Sequence, residues 1–391
     1  MSGSPTLLIA NPSADVYGSD LQMLETVSAM TSRGWRVVVT TPTDGQLVDL
    51  LVSRGAEVKF VKYPVLRRAN ASAAGVVSLA AESTRAIPSL RRVLREVAPA
   101  AVYVNTVTIP WWIVSARALR IPVVCHVHEA EAQDGRIVRT ALNLPLLAAN
   151  SLIAISQSTV RATTADLPRL SSRTHLIYNG VPKPDQDVAA ANMSTPFRTA
   201  VIGRLSPRKG TDVALEAVAN LRRSGRNVEL DVCGTPFSGY EWFEQKLRRR
   251  AEDQDLAGAV RFSGYVSPVW PALSRADVIL APSLREPFGN AVVEAQLAGR
   301  PVVAAAAMGH LETVTHEQTG LLVAPGDPQA MATAVARLMD DHDLCASLAR
   351  SAHINASERF TVERYQRDVF HLIASLAGHP HTSQRVEELS A

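Results

Sequence analysis

The front half of the chain alternates short apolar runs with amphipathic stretches. Thr6 to Ala10, Trp35 to Thr40, Val58 to Val61, Ala101 to Val104, Val123 to Val127, Leu152 to Ile155 and His175 to Tyr178 are β-branched or apolar runs of strand length. Between them apolar residues recur at helical spacing, as in Leu21, Leu24, Val27 and Met30, and again in Leu90, Val93, Leu94 and Val97. Such alternation predicts a parallel sheet covered by helices on both faces. It stops at Asn179-Gly180-Val181-Pro182-Lys183-Pro184-Asp185, where turn residues and prolines predict a hinge. It then restarts: Ala200 to Ile202, Val228 to Val232, Val260 to Phe262, Val278 to Leu280, Val302 to Ala305 and Leu321 to Val323 read as strands of a second doubly wound sheet. Thr361 to Leu376 reads as a helix with Val362, Tyr365, Val369, Leu372 and Leu376 on one stripe. Two α/β domains of this kind predict a cleft between the carboxyl ends of their strands, where such sheets bind ligands.

Length and composition agree with two domains. The 391 residues exceed one ordinary core, and 47% hydrophobic with 20% charged residues is the balance of a globular protein. No apolar run reaches the length of a membrane span, and the N-terminus lacks a basic segment followed by an apolar one, so a cytoplasmic location is expected. Cys125, Cys233 and Cys345 are scattered without ligand or redox spacing. The net charge of +3 is divided unevenly. Residues 1–180 hold eighteen Lys and Arg against twelve Asp and Glu, and the rest holds 22 against 25. Part of the excess lies in Lys59, Lys62, Arg67 and Arg68 and in Arg85, Arg91, Arg92 and Arg95. These basic clusters suit either a solvated helix face or docking on an anionic membrane surface at the inner face of the plasma membrane.

The chemistry concentrates in the second half. Asp277 to Ser283 reads as a strand ending in turn residues, and Ala291, Val292, Ala295 and Leu297 continue at helical spacing up to Gly299. Glu286 therefore falls in a strand-to-helix loop and Glu294 in the helix that follows. A helix start presents unpaired N–H groups and a positive dipole, and Gly289 admits a ligand close to the backbone. An anionic ligand carrying hydroxyls fits, because the two carboxylates accept hydrogen bonds from those hydroxyls. Upstream, Gly203-Arg204-Leu205-Ser206-Pro207-Arg208-Lys209-Gly210 follows the first strand of the second sheet. Arg204 offers a planar fork and Lys209 a mobile point charge, both suited to a diphosphate, although a basic surface loop carries the same residues.

These motifs resemble those of retaining glycosyltransferases of family 4. The resemblance rests on Gly203-Arg204 with Lys209-Gly210, Glu286-Pro287-Phe288-Gly289 with Glu294-Ala295, Gly299-Arg300-Pro301-Val302-Val303, and Thr319-Gly320-Leu321-Leu322-Val323. It implies the GT-B architecture of two Rossmann-like doubly wound parallel-sheet domains. The expected boundaries are an acceptor-binding domain over 1–180, a linker over 181–195, a nucleotide-sugar-binding domain over 196–360, a helix over 361–378 packing back on the first domain, and a flexible tail over 379–391. The implied activity is transfer of a hexose from a nucleotide-diphosphate sugar to a hydroxyl of a glycan or glycolipid acceptor of the cell envelope, with retention. No metal or other cofactor and no nucleic acid are expected.

Roles follow residue by residue from the resemblance. Glu294 would bind the ribose hydroxyls, Glu286 and the Phe288-Gly289-Asn290 backbone would hold the transferred sugar, and Arg204 and Lys209, beside Gly203, would neutralise the leaving diphosphate. The base pocket would form around Phe262 to Val266. His128, in Val123-Val124-Cys125-His126-Val127-His128-Glu129, corresponds to the family's active-site histidine, whereas His126, on the same face of the strand, is assigned to packing. Glu129 is a candidate to orient the acceptor or receive its proton. Gly18, in Asp15-Val16-Tyr17-Gly18-Ser19-Asp20, stands where the family has a glycine-rich phosphate loop. That loop lacks the Gly-x-Gly-x-x-Gly fingerprint of a dinucleotide oxidoreductase. Asp185-Gln186-Asp187, Asp253-Gln254-Asp255 and Asp341-His342-Asp343 fall in linker, helical or polar segments rather than at strand ends, unlike the Asp-x-Asp of metal-dependent transferases. Trp111-Trp112 reads as core ahead of an apolar acceptor patch. The rival readings are a GT-B epimerase or phosphorylase and a non-catalytic protein that keeps the donor site.

Overall fold

The structure, a computed structural model, describes residues 4–66, 73–128, 139–140, 143–184 and 194–379, excluding the side chains of 73–78 and 80. The chain divides into two compact units, one formed by residues up to Gly180 together with those from Val362 onward, the other by Val181–Thr361.

The first unit is a seven-stranded parallel sheet of β1 (Thr6–Ala10), β2 (Arg36–Thr41), β3 (Glu57–Phe60), β4 (Ala101–Val104), β5 (Val123–Val127), β6 (Ser151–Ala154) and β7 (Thr174–Leu176), in the spatial order β3-β2-β1-β4-β5-β6-β7. Every residue of β1, β4 and β5 is buried, because helices cover both faces and successive side chains enter opposite cores. Leu7 and Ile9 pack with Val37, Val39 and Tyr103 on one face, whereas Leu8 and Ala10 pack with Val38, Val102 and Val104 on the other. The helix Val362–Leu376 belongs to this unit and lies against the helix Gly18–Thr31. There the hydroxyls of Tyr365 and Thr26 meet at 2.6 Å. Its buried face is Tyr365, Val369, Phe370, Ile373 and Ala374, so the apolar stripe is turned from the expected one, with Phe370 and Ile373 inside and Leu372 only half-buried. Both stripes satisfy helical spacing and share Tyr365 and Val369, and the face that adds Phe370 and Ile373 is buried, each such side chain contributing about 1.5–3 kcal/mol.

The second unit is a six-stranded parallel sheet of β8 (Phe197–Ile202), β9 (Val228–Cys233), β10 (Val260–Gly264), β11 (Val278–Ala281), β12 (Val302–Ala305) and β13 (Leu321–Val323), ordered β10-β9-β8-β11-β12-β13. Val201, Leu230, Val232, Val278 and Leu280 pack under the helices Thr211–Arg223 and Pro328–Asp340. Ala200, Ile279, Val302 and Ala304 pack with Leu273, Val292 and Ala295 on the opposite face. β8 starts three residues before its apolar run, because Arg198 points to solvent while Thr199 is buried and donates to the Glu229 carbonyl at 2.8 Å. Each sheet reverses its strand order once, between β1 and β4 and between β8 and β11. Ligands of open α/β sheets bind beyond the carboxyl ends of strands at such reversals.

Candidate active site

In the second unit the loops that leave β8 and β11 at the reversal are tied to each other. Lys209 Nζ meets Glu286 Oε2 at 2.5 Å, and Ser283 Oγ donates to the same oxygen at 3.1 Å. Arg208 Nη1 donates to the Arg285 carbonyl and the Leu284 N–H to the Arg208 carbonyl. Gly210 makes this approach possible: its φ is +67°, and a Cβ there would stand 2.3 Å from the Pro282 carbonyl oxygen. Arg204, half-buried, stacks its guanidinium on Phe237 at 4.8 Å. Gly203 follows β8 directly and donates its N–H to the Cys233 carbonyl.

Helix Asn290–Leu297 starts from Gly289, which takes φ +105° and gives no side-chain cap. A Cβ on Gly289 would lie 2.9 Å from His310 Cδ2, so its smallness admits a histidine ring as well as a left-handed backbone. His310 was not among the residues singled out from sequence. It is buried, and its Nδ1–H donates to the Ala305 carbonyl at 3.0 Å, which makes Nε2 the acceptor facing Gly289. Phe288 is spent on packing, 2% exposed and edge-on to Phe360, which leaves only its backbone for a ligand.

The two glutamates differ electrostatically. Burial alone pushes the Glu286 carboxyl up, but Lys209, with His310 and Arg208, outweighs it and holds the carboxyl down to about 2. Glu294 has no ion pair or hydrogen-bond partner among the described residues, and burial pushes it up to about 7. Val266 follows β10, with β9 between that strand and β8, so it stands apart from the tied loops along the sheet.

In the first unit, Gly18 is exposed at the start of the helix Gly18–Thr31. His128 follows β5, half-buried, with Nε2 3.0 Å from Asn105 Oδ1, and burial pushes its imidazole down to about 3. His126 is fully buried, bonded through Nδ1 to the Tyr103 hydroxyl, its ring 4.0 Å from that of His128. Sequence reading missed Asn11, Asp20 and Asn105, which are buried at the ends of β1 and β4 and in the first helical turn. Asn11 Nδ2 donates to Asp20 Oδ1 at 2.8 Å, and Asn105 Nδ2 donates to Asn11 Oδ1 at 2.8 Å. Burial raises Asp20 to about 6 against those hydrogen bonds. No signal short of the strand order marks a lone Asn at a strand end as part of a site.

The remaining candidates divide simply. Trp112 is fully buried, and Trp111 is half-buried with Nε1 on the Pro64 carbonyl at 2.8 Å. Asp253 and Asp255 both face Arg250, and Asp341 caps the helix His342–Arg359. Among the described residues no three His, Cys, Asp or Glu gather as a metal site, and no helix is long and apolar enough to cross a membrane. Glu129, Arg67, Arg68, Asp185, Asp187 and the tail from 380 lie outside the described residues.

Comparison with known proteins matches this division. The family model for glycosyl transferases group 1 matches residues 183–354, and that for glycosyltransferase family 4 matches residues 17–183. A D-inositol 3-phosphate glycosyltransferase of Corynebacterium glutamicum (strain R) is 38% identical over 37% of this chain and 35% of its own length. A glycogen synthase of Mycobacterium tuberculosis (strain H37Rv) is 29% identical over 61% of this chain and 60% of its own. The match thus spans about a third to three fifths of these curated relatives. The crystal structure of Anabaena Alr3699/HepE in complex with UDP and glucose superposes with a TM-score of 0.79 at 23% identity, covering 94% of this chain and 99% of that one. With one family model on each half and this fold throughout, the chain belongs to the family 4 glycosyltransferases of GT-B architecture.

Proposed function

We propose that the chain transfers a hexose from a nucleotide-diphosphate sugar to an acceptor hydroxyl, with retention and without a metal ion. The observation that carries this reading is the Lys209–Glu286 pair beside the uncapped start of helix Asn290–Leu297, with Glu294 unpaired one turn inside it. Glu286 holds the ammonium in place, and Lys209 keeps N–H donors for phosphate oxygens. As the bond from the anomeric carbon to the phosphate oxygen breaks, charge grows on the diphosphate, and Lys209, Arg204 and the helix start stabilise it. Glu294 accepts from the ribose hydroxyls, and Gly203, Gly289, Asn290 and the Phe288 backbone give close approach to the donor, with Val266 toward the base and Gly18 toward the phosphates. His128 meets the transferred sugar, as the family resemblance implies. Retention follows from that resemblance: the acceptor oxygen attacks on the face the phosphate leaves, and its proton passes to the leaving phosphate. The named relatives act on D-inositol 3-phosphate and make glycogen, and the structural neighbour holds UDP and glucose, so a UDP-hexose is the first donor to assay. The basic excess of residues 1–180 favours a cell-envelope glycolipid or polysaccharide acceptor at an anionic membrane surface.

A thermal-shift panel of UDP-, GDP- and ADP-hexoses tests the donor. One base should raise the melting temperature, since ligand at 100 times its dissociation constant adds about 2.7 kcal/mol. Turnover of that donor should require a polyol, glycan or glycolipid hydroxyl. A panel with no shift and no turnover would reject the reading.

A further inference from the structure

A directed chain of hydrogen bonds runs through the buried end of the first sheet. Asn11 faces the Ser13 carbonyl, which can only accept, and Asp20 Oδ1, which accepts in its ionised form, both at 2.8 Å, so the atom it turns to them is its amide nitrogen. Asn11 Oδ1 therefore faces Asn105, which must answer with its own amide nitrogen, at 2.8 Å; that nitrogen also reaches the Ser19 carbonyl at 3.4 Å. Asn105 is left with Oδ1 toward His128 Nε2 at 3.0 Å, and toward the Tyr103 hydroxyl at 3.4 Å. An oxygen there can only accept, so His128 Nε2 must carry the proton. At the far end Asp20 is itself held, its Oδ2 accepting the Tyr17 N–H at 3.0 Å. All three polar residues are at most 2% exposed, so water cannot substitute for a missing partner.

We propose that Asn105 is a positioning residue for His128, its amide locked one way round by Asn11 and Asp20, so that His128 is fixed as the Nε2–H tautomer with Nδ1 as the ring acceptor. The proposal rests on the reading in which His128 meets the transferred sugar. A ring held in one tautomer presents the same acceptor to each substrate hydroxyl, whereas a ring free to exchange tautomers presents it only part of the time.

The test is nitrogen-15 NMR of the full-length protein, with His128 assigned by the signals lost in His128→Gln. The wild type should show a protonated Nε2 and an unprotonated Nδ1; a protonated Nδ1 alone overturns the proposal without any variant. Asn105→Ala, and Asn105→Ser as the variant closer in polarity, should speed exchange of the Nε2 proton and lower kcat about 10-fold while leaving the donor KM unchanged. Asn11→Ala and Asp20→Asn should act in the same direction with smaller effect. A folded Asn105 variant with wild-type kcat and an unaltered His128 spectrum overturns the role. Undiminished transfer by His128→Ala would overturn the functional reading of His128 while leaving the spectral change in Asn105→Ala in place, which distinguishes the two failures.

Discussion

The two units pair their buried carboxyls with different groups at corresponding places in their sheets. Where the second sheet reverses, the loops carry full charges, Lys209 on Glu286 with Arg204 and Arg208 nearby. Where the first sheet reverses, the ends of β1 and β4 carry amides, Asn11 and Asn105, which lead from the buried Asp20 carboxyl to a neutral histidine with no cation among these residues. The difference matches the partners proposed for each. A diphosphate brings charge that grows as the sugar leaves, and fixed cations stabilise it strongly in a site shielded from water. A hydroxyl brings no charge, and buried cations facing it would remain uncompensated. Amides fix direction without adding charge.

Lys209→Ala is the most severe way to break the comparison. It removes a cation from the leaving group and strands Glu286, whose carboxyl then loses the partner that holds it down. kcat should fall about 100- to 1000-fold, against about 10-fold for Asn105→Ala. Single-turnover rates at saturating donor check the order, and an equal or reversed ranking would mean that the charged loops are not where the transition state is stabilised. Next in size is Gly289→Ala, which meets both a left-handed backbone and the His310 ring. A loss of about 1–3 kcal/mol is expected by denaturant unfolding. His310→Ala in the same chain should recover the contact part and leave the backbone part, so a double-mutant cycle with no coupling would remove His310 from the account of why Gly stands there.

Much of this contrast was legible in the sequence only on its charged side. Glu286, Glu294, Arg204 and Lys209 stand out because carboxylates and cations at strand ends have no apolar reason to be there. The central strands β1, β4, β11 and β12 likewise follow from continuous apolar runs, since a parallel sheet covered on both faces leaves no polar interruption there, whereas β3, β7 and β10, at the sheet edges, carry polar residues and are less buried. The amide side was hidden. Asn11 and Asn105 are 94 residues apart, and each reads alone as an ordinary turn residue; only the placement of β1 beside β4 joins them. His310 was hidden for the same reason, since it follows β12 and reaches Gly289 across the sheet order rather than along the chain. The register of the last helix was ambiguous because two stripes satisfy one spacing, and packing chose between them.

A smaller effect tests the unpaired carboxylate. Glu294 is raised by burial from 4.5 to about 7, so its protonated form is the one the fold prefers. Its contribution to stability is complete below about pH 4.5 and is lost as pH rises through 7. Glu294→Gln should therefore be more stable than the wild type at pH 8, by roughly 1–2 kcal/mol, with the advantage vanishing at pH 4. Donor binding should act in reverse. Ribose hydroxyls donating to the carboxylate favour its ionised form, so binding near pH 7 should release a proton, measurable by calorimetry in buffers of different ionisation enthalpy. Binding with no proton release would separate Glu294 from the nucleotide.

The smallest effect concerns the basic helix Ala73–Val97, which no feature of the sheet reversals requires. Arg85, Arg92 and Arg95 are exposed on it, and Arg92 is tied to Glu96 at 2.8 Å, an exposed pair of little net worth. Arg91 is different: it is half-buried with Nε shielded from solvent, so it is a poor probe of surface charge. Reversing Arg85, Arg92 and Arg95 to Glu should weaken binding to vesicles containing anionic lipid by about 1 kcal/mol per residue at low salt, with transfer to a soluble acceptor unchanged. Equal partition of wild type and triple variant would make this face a solvated one and leave the charge asymmetry of the chain without a membrane role.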